Sequence, residues 1–132
     1  MADSRYVAAI GRRKTARASV RLTEAKDESI LVNGMSLKDY FHTDDRVITA
    51  MESIKLAELG KNYAITVIVS GGGKSAQADA VRMGIARAAT MINAGTRTTL
   101  KKAGHLKRDP RAKERKKPGL VKARKRKQWS KR

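Results

Sequence analysis

The chain has 132 residues, 40% of them apolar, no cysteine, and 31 basic against 12 acidic side chains for a net charge of +19. That length allows one domain with one modest core and leaves little room for the several βαβ units of a nucleotide hydrolase. Disulfides, zinc knuckles and cysteine nucleophiles are excluded, and no segment is long and apolar enough to span a bilayer. The opening, MADSRYVAAIGRRK, has no apolar leader core and carries an early Asp, so a cytosolic protein is expected.

Residues 5–10 (RYVAAI) read as a first strand and GRRK as a basic turn. In ARASVRL the apolar Ala16, Ala18, Val20 and Leu22 alternate with Arg17, Ser19 and Arg21, the period of a half-buried strand. Arg17 and Arg21 then lie on its outer face, solvated or on RNA. SILV (29–32) is a third strand, ended by the turn pair Asn33-Gly34. Ser36 and Asp39 stand at capping-box spacing before a short helix through Tyr40. Asp44 and Asp45 cap the next helix, where Val47, Ile48, Met51 and Ile54 share a face. AITVIV (64–69) is almost wholly apolar and is expected to be a central strand covered on both faces. Residues 75–92 form the clearest helix, with Val81, Gly84, Ile85, Ala88 and Ile92 on one stripe and small residues that let it lie close to a sheet. TRTTLKKAG fits a further short helix stopped by Gly104. Beyond it Pro110 and Pro118-Gly119 interrupt any long helix.

VIVSGGGKSAQ raises the question of a phosphate loop. In the pattern G-x-x-x-x-G-K-[ST] the first glycine would fall at position 68, which is Ile68 inside the strand. The loop is too short to wrap phosphates, and no later strand ends in an Asp placed for Mg²⁺. The plainer reading is a sharp strand-to-helix turn built on glycines, with Ser75 as helix cap and Lys74 free to meet a phosphate. His42 and His105 have no companion ligands at metal spacing and read as surface or RNA-facing, so no metal, cofactor or small-molecule substrate is expected.

Charge divides the chain. Residues 1–96 carry 14 Lys/Arg and 10 Asp/Glu, net +4, whereas residues 97–132 carry 17 and 2, net +15. Such a segment repels itself and needs a polyanion. Nucleic acid fits best, because few apolar residues are available for a membrane and no terminal Cys for lipidation. The division suggests a folded domain over 1–104 and an extended basic tail over 105–132, 28 residues that could span roughly 90 Å.

GRRKTARASVRL, LVNG with LKDYF, VSGGGKSAQADAVRMGIARA and LKKAGHLKRDPRAKERKKPGLVKARKRKQWSKR occur in this order over nearly the whole chain. Together they resemble the ribosomal protein S9 family of the bacterial small subunit. Ala76 stands where the family usually has Gly, and Trp129 where it often has Phe. The resemblance implies an α+β fold: a four-stranded sheet with helices packed on one side, a left-handed βαβ crossover, and the long extended tail. It implies a place in the small-subunit head among neighbouring head proteins, on 16S rRNA, with the tail end at the P-site tRNA anticodon stem-loop. The rRNA contacts carried over are Arg12, Arg13, Lys14, Arg17, Lys74, Lys101, Lys102, Lys107, Arg108, Arg111, Arg115, Lys116, Lys117, Lys122, Arg124, Lys125, Arg126 and Lys127. Trp129, Ser130, Lys131 and Arg132 are the tRNA contacts, Trp129 through stacking. A general DNA-compacting protein shares the charge but not the ordered motif set.

Overall fold

The computed structural model describes residues 5–131. Its strands are β1 (Tyr6–Arg13), β2 (Ala16–Glu24), β3 (Ser29–Val32), β4 (Met35–Ser36) and β5 (Tyr63–Ser70). The helices are α1 (Leu37–Phe41), α2 (Asp44–Ala57), α3 (Lys74–Ile92) and α4 (Thr96–Lys102). The sheet is five-stranded and mixed, in the order β1-β2-β5-β3-β4. β1, β2 and β5 pair antiparallel, β5 and β3 parallel, β3 and β4 antiparallel. The chain crosses from β3 to β5 through α1 and α2.

Four strands were expected. The fifth, β4, is two residues long and passes straight into α1, so it leaves no alternation to read. Its turn is legible, however: Asn33 and Gly34 both have positive φ (50° and 81°), the geometry of a two-residue hairpin. Asn33 also extends the ladder with its side chain, donating to Val69 O (3.2 Å) and accepting from Val69 N (3.0 Å).

Alternation builds the core. Ala16, Ala18, Val20 and Leu22 of β2 and Tyr63, Ile65, Val67 and Val69 of β5 point to one face, under α3. All the helices lie on this side. Val81, Ile85 and Ala88 of α3 are fully buried, and Ile92 is half-buried. The close approach of α3 to β1 depends on Gly11, where an added Cβ would lie 1.8 Å from Ala80 O and 2.5 Å from Gly84 N.

The opposite face of the sheet is open, which corrects the expectation for β5. Thr66 and Ile68 are exposed, Ile68 at 61%. A run of apolar residues cannot by itself tell one covered face from two. Other corrections are local. Gly11, Arg12 and Arg13 belong to β1, so the turn is only Lys14-Thr15, with Lys14 at φ 51°. Thr43 holds the N-cap position of α2, and Asp44 and Asp45 occupy its first turn. α3 starts a residue earlier than expected, with Gly73 as N-cap and Ser75 inside the helix. Ser36 caps α1 through Asp39 N at 3.3 Å, and Gly104 (φ 82°) ends α4, both as expected.

Candidate nucleic-acid interface

One end of the sheet gathers the basic loops. The Lys14-Thr15 turn and the Gly71–Gly73 loop lie side by side, because β2 and β5 pair as far as Arg17 and Ser70. The glycines are needed for this proximity. Gly71 and Gly72 have φ of 73° and 64°, and a Cβ on Gly71 would sit 2.5 Å from Thr15 O. Gln77 locks the loop by donating to Gly71 O (3.0 Å) while accepting from the Tyr40 hydroxyl (2.7 Å). Lys74 Nζ stands 3.3 Å from the centroid of the Tyr40 ring. That contact orders the ammonium without neutralising it.

The open sheet face carries Arg12 directly opposite Arg17, and Arg21 stacked on Tyr6 at 4.8 Å. Like charges placed directly opposite destabilise a sheet. Neither Arg12 nor Arg17 has an ion-pair partner among the described residues. An anion laid across them relieves the repulsion.

Arg13 differs from its neighbours. It reaches Asp109 at 2.6 Å and Asp79 at 3.7 Å, and Arg82 joins Asp79 (3.4 Å) to Glu52 (2.9 Å). His105 closes the chain of polar groups, with Nε2 3.4 Å from Glu52 and Nδ1 3.2 Å from Ser53 Oγ. The network ties β1, α2 and α3 to the root of the tail. His105 was expected at the surface or on RNA, but it is 7% exposed. Packing of Leu106 against the small cluster around Leu100 draws it inward. Burial, then the neighbouring Arg82 charge, push the imidazole below its ordinary pKa of 6.5, against the opposing pull of Glu52. The Arg111 side chain and backbone N–H hold the Asp109 carboxyl well below the usual carboxylate range, with Arg13 adding to the effect. Arg108 donates to Lys14 O at 3.1 Å and to Asp109 O.

Past Asp109 almost every residue is exposed. A turn with Gly119 at φ 81° precedes an isolated bridge between Leu120 and Arg126. Glu114 pairs with Lys117 (3.0 Å) and Arg124 (2.9 Å). Arg115, Lys116, Lys122, Lys125, Arg126 and Lys127 are exposed and have no carboxylate partner among the described residues. Lys101 and Lys102 are exposed in the last turn of α4, and Lys107 is exposed at the tail root. Trp129 is 78% exposed, Ser130 and Lys131 are exposed beside it, and Arg132 lies outside the described residues. The expected contacts therefore divide into a cluster at one end of the sheet and a string along the tail. Sequence reasoning missed Arg87, which donates to Ile10 O at 2.8 Å. It sits on a helix whose apolar stripe drew the attention. The structural use of Asp79 and Glu52 left no signal, because their partners are remote in sequence.

Residues 11–132 match the family described as Ribosomal protein S9/S16. The chain belongs to this family. It is 50% identical over 125 residues to the small ribosomal subunit protein uS9 of Cytophaga hutchinsonii, covering 94% of this chain and 96% of that protein. Against uS9 of Mycoplasma mobile it is 46% identical over 132 residues, the whole of both chains. Against uS9 of Renibacterium salmoninarum it is 48% identical over 126 residues, 95% of this chain and 75% of that protein. As an S9-family member it is a ribosomal protein of the small subunit, a structural constituent without enzymatic activity, and it works on the ribosome in the cytoplasm. No helix among the described residues is long and apolar enough to cross a membrane.

Proposed function

We propose that this chain anchors in the small-subunit head, on 16S rRNA and among neighbouring head proteins, and extends its tail to the P site. In this reading residues 1–104 are the folded anchor, with the left-handed β3-to-β5 crossover of the family. Residues 105–132 are the RNA-threading tail. The observation that carries it is the charge state of the exposed cations. Along the sheet end and the tail a few are held by a backbone carbonyl, the Tyr40 ring, Asp109 or Glu114, and most have no carboxylate partner among the described residues. Each phosphate they meet releases condensed counterions, which drives association. Arg12, Lys14, Arg17 and Lys74 meet rRNA at the sheet end, and the cations from Lys101 to Lys127 meet it along the tail. Arg13 approaches rRNA while fixed to Asp109. Trp129 stacks on a base or sugar, and Ser130, Lys131 and Arg132 touch the tRNA anticodon stem-loop.

The test is a chain lacking residues 130–132. Small subunits carrying it should assemble and keep the protein through a high-salt wash, because the remaining cations still hold rRNA. Their P-site tRNA should dissociate faster. Equal tRNA retention at every salt concentration would remove the P-site role. Failure of the full chain to co-sediment with small subunits would remove the anchor.

A further inference from the structure

The arginines near the tail root fall into two electrostatic groups. Arg13 and Arg82 are committed to Asp79, Asp109 and Glu52. Arg12, Arg87 and Arg108 line an open groove with Ile10 and Met83, along the free edge of β1, and Arg12 and Met83 also border the adjoining cleft that holds Asp79 and Asp109. Among the described residues no carboxylate lines that groove itself. Arg87 and Arg108 are oriented in it by backbone carbonyls, Ile10 O at 2.8 Å and Lys14 O at 3.1 Å. A carbonyl fixes a guanidinium but leaves its charge intact, and each fork keeps further N–H donors. The Arg12 side chain has neither a hydrogen-bond nor an ion-pair partner among the described residues, and it faces Arg17 across the hairpin.

We infer that this groove is a phosphate site for one backbone phosphodiester of folded RNA, with Arg87 as a ligand beside Arg12 and Arg108. Two guanidiniums oriented by carbonyls, with the unpaired Arg12 beside them, suit a diester, whose flanking sugar can lie on the exposed Ile10. Arg87 comes from α3, so the site would join the body, the β1–β2 hairpin and the tail root on a single phosphate. The inference rests on the rRNA-binding reading above.

The experiment measures binding of the full chain to a transcript of the head region of 16S rRNA, from about 50 to 200 mM salt. Arg87→Ala should weaken binding about tenfold at fixed salt. It should also lower the slope of log affinity against log salt by about 0.7–0.9, the loss of one phosphate. Arg12→Ala should act in the same direction and covers the case in which Arg87→Ala disturbs the fold. Arg87→Lys should keep the slope and lose part of the affinity, because charge remains without the fork. Lys55→Ala, an exposed cation on α2 outside the groove, should change neither. Equal losses in Lys55→Ala and Arg87→Ala, or unchanged slopes in Arg12→Ala and Arg87→Ala, would overturn the site. Inorganic phosphate that raises the melting temperature of wild type but not of Arg87→Ala, with RNA slopes unaltered, would overturn RNA as the source. No binding by wild type would instead defeat the rRNA reading itself.

Discussion

Gly11 and His105 show how single side chains hold this molecule together. At Gly11 the obstacle to a Cβ is the backbone of α3, with Ala80 O at 1.8 Å, so relief requires moving a helix off a sheet. Gly11→Ala should cost about 3 kcal/mol or more, the upper range for overpacking, read as a lower midpoint in urea unfolding. At Gly84 the nearest atom to an added Cβ is a methyl of Val20, at 2.6 Å. The nearest backbone atom there, Gly11 N, is 3.3 Å away against 1.8 Å for Ala80 O at Gly11, so Gly84→Ala should cost less. His105 acts through pH. Its folded pKa lies below 6.5, so just under that value the unfolded chain binds more protons than the folded one. Its stabilising contribution is complete above pH 6.5 and is lost as pH falls through 6.5 towards the folded value. Glu52, Arg82 and Ser53 face the ring throughout. His105→Gln should flatten the fall in melting temperature between about pH 7 and 5. Asp109 has its pKa depressed from 3.8, so its own loss comes at more acid pH and leaves that window clear.

The glycine loop and the tail root are both cases of one segment held against another. The loop between β5 and α3 is shaped by the nearby Lys14-Thr15 turn, and Gln77 pins it to Gly71 O and Tyr40. It serves packing, in keeping with the missing first glycine of a phosphate loop. The tail root is held by Arg13 and Arg111 on Asp109, by Arg108 on Lys14 O, and by burial of His105. Asp109→Asn should weaken the charged part of that hold. Trypsin should then cut sooner after Lys107 and Arg108, both next to the released segment, while cleavage beyond Arg111 keeps its rate. Unchanged cleavage at Lys107 and Arg108 would show that His105 and Leu106 fix the root without Asp109.

Taken together, the molecule is a two-layer body with helices on one face of a mixed sheet and cations gathered at one sheet end, from which the tail departs. A tail with 6–10 phosphate contacts to duplex-like RNA should lose affinity by about 10³–10⁵ between 50 and 200 mM salt. Removing residues 112–132 should reduce that slope sharply. It should leave the melting temperature nearly unchanged, because the core residues all precede Leu106. A matching fall in melting temperature would mean that the exposed tail supports the body after all.

The sequence alone determined the strictly alternating strand β2, the α3 stripe, the Asn33-Gly34 turn, the charge division at the tail and the family resemblance. Each of these is local or compositional: alternation in β2 needs only Ala16 to Leu22, and the Asn33-Gly34 turn only two residues. What needed the tertiary structure is whatever depends on residues distant along the chain. Arg12, Arg13, Arg82 and Arg87 are alike as letters. Asp109 and Asp79 neutralise Arg13, Glu52 and Asp79 neutralise Arg82, and one backbone carbonyl merely aims Arg87. The open outer face of β5 and the burial of His105 are likewise settled by what packs nearby. Local pattern records a residue's own preference, whereas charge pairing and exposure are properties of the neighbours that folding supplies.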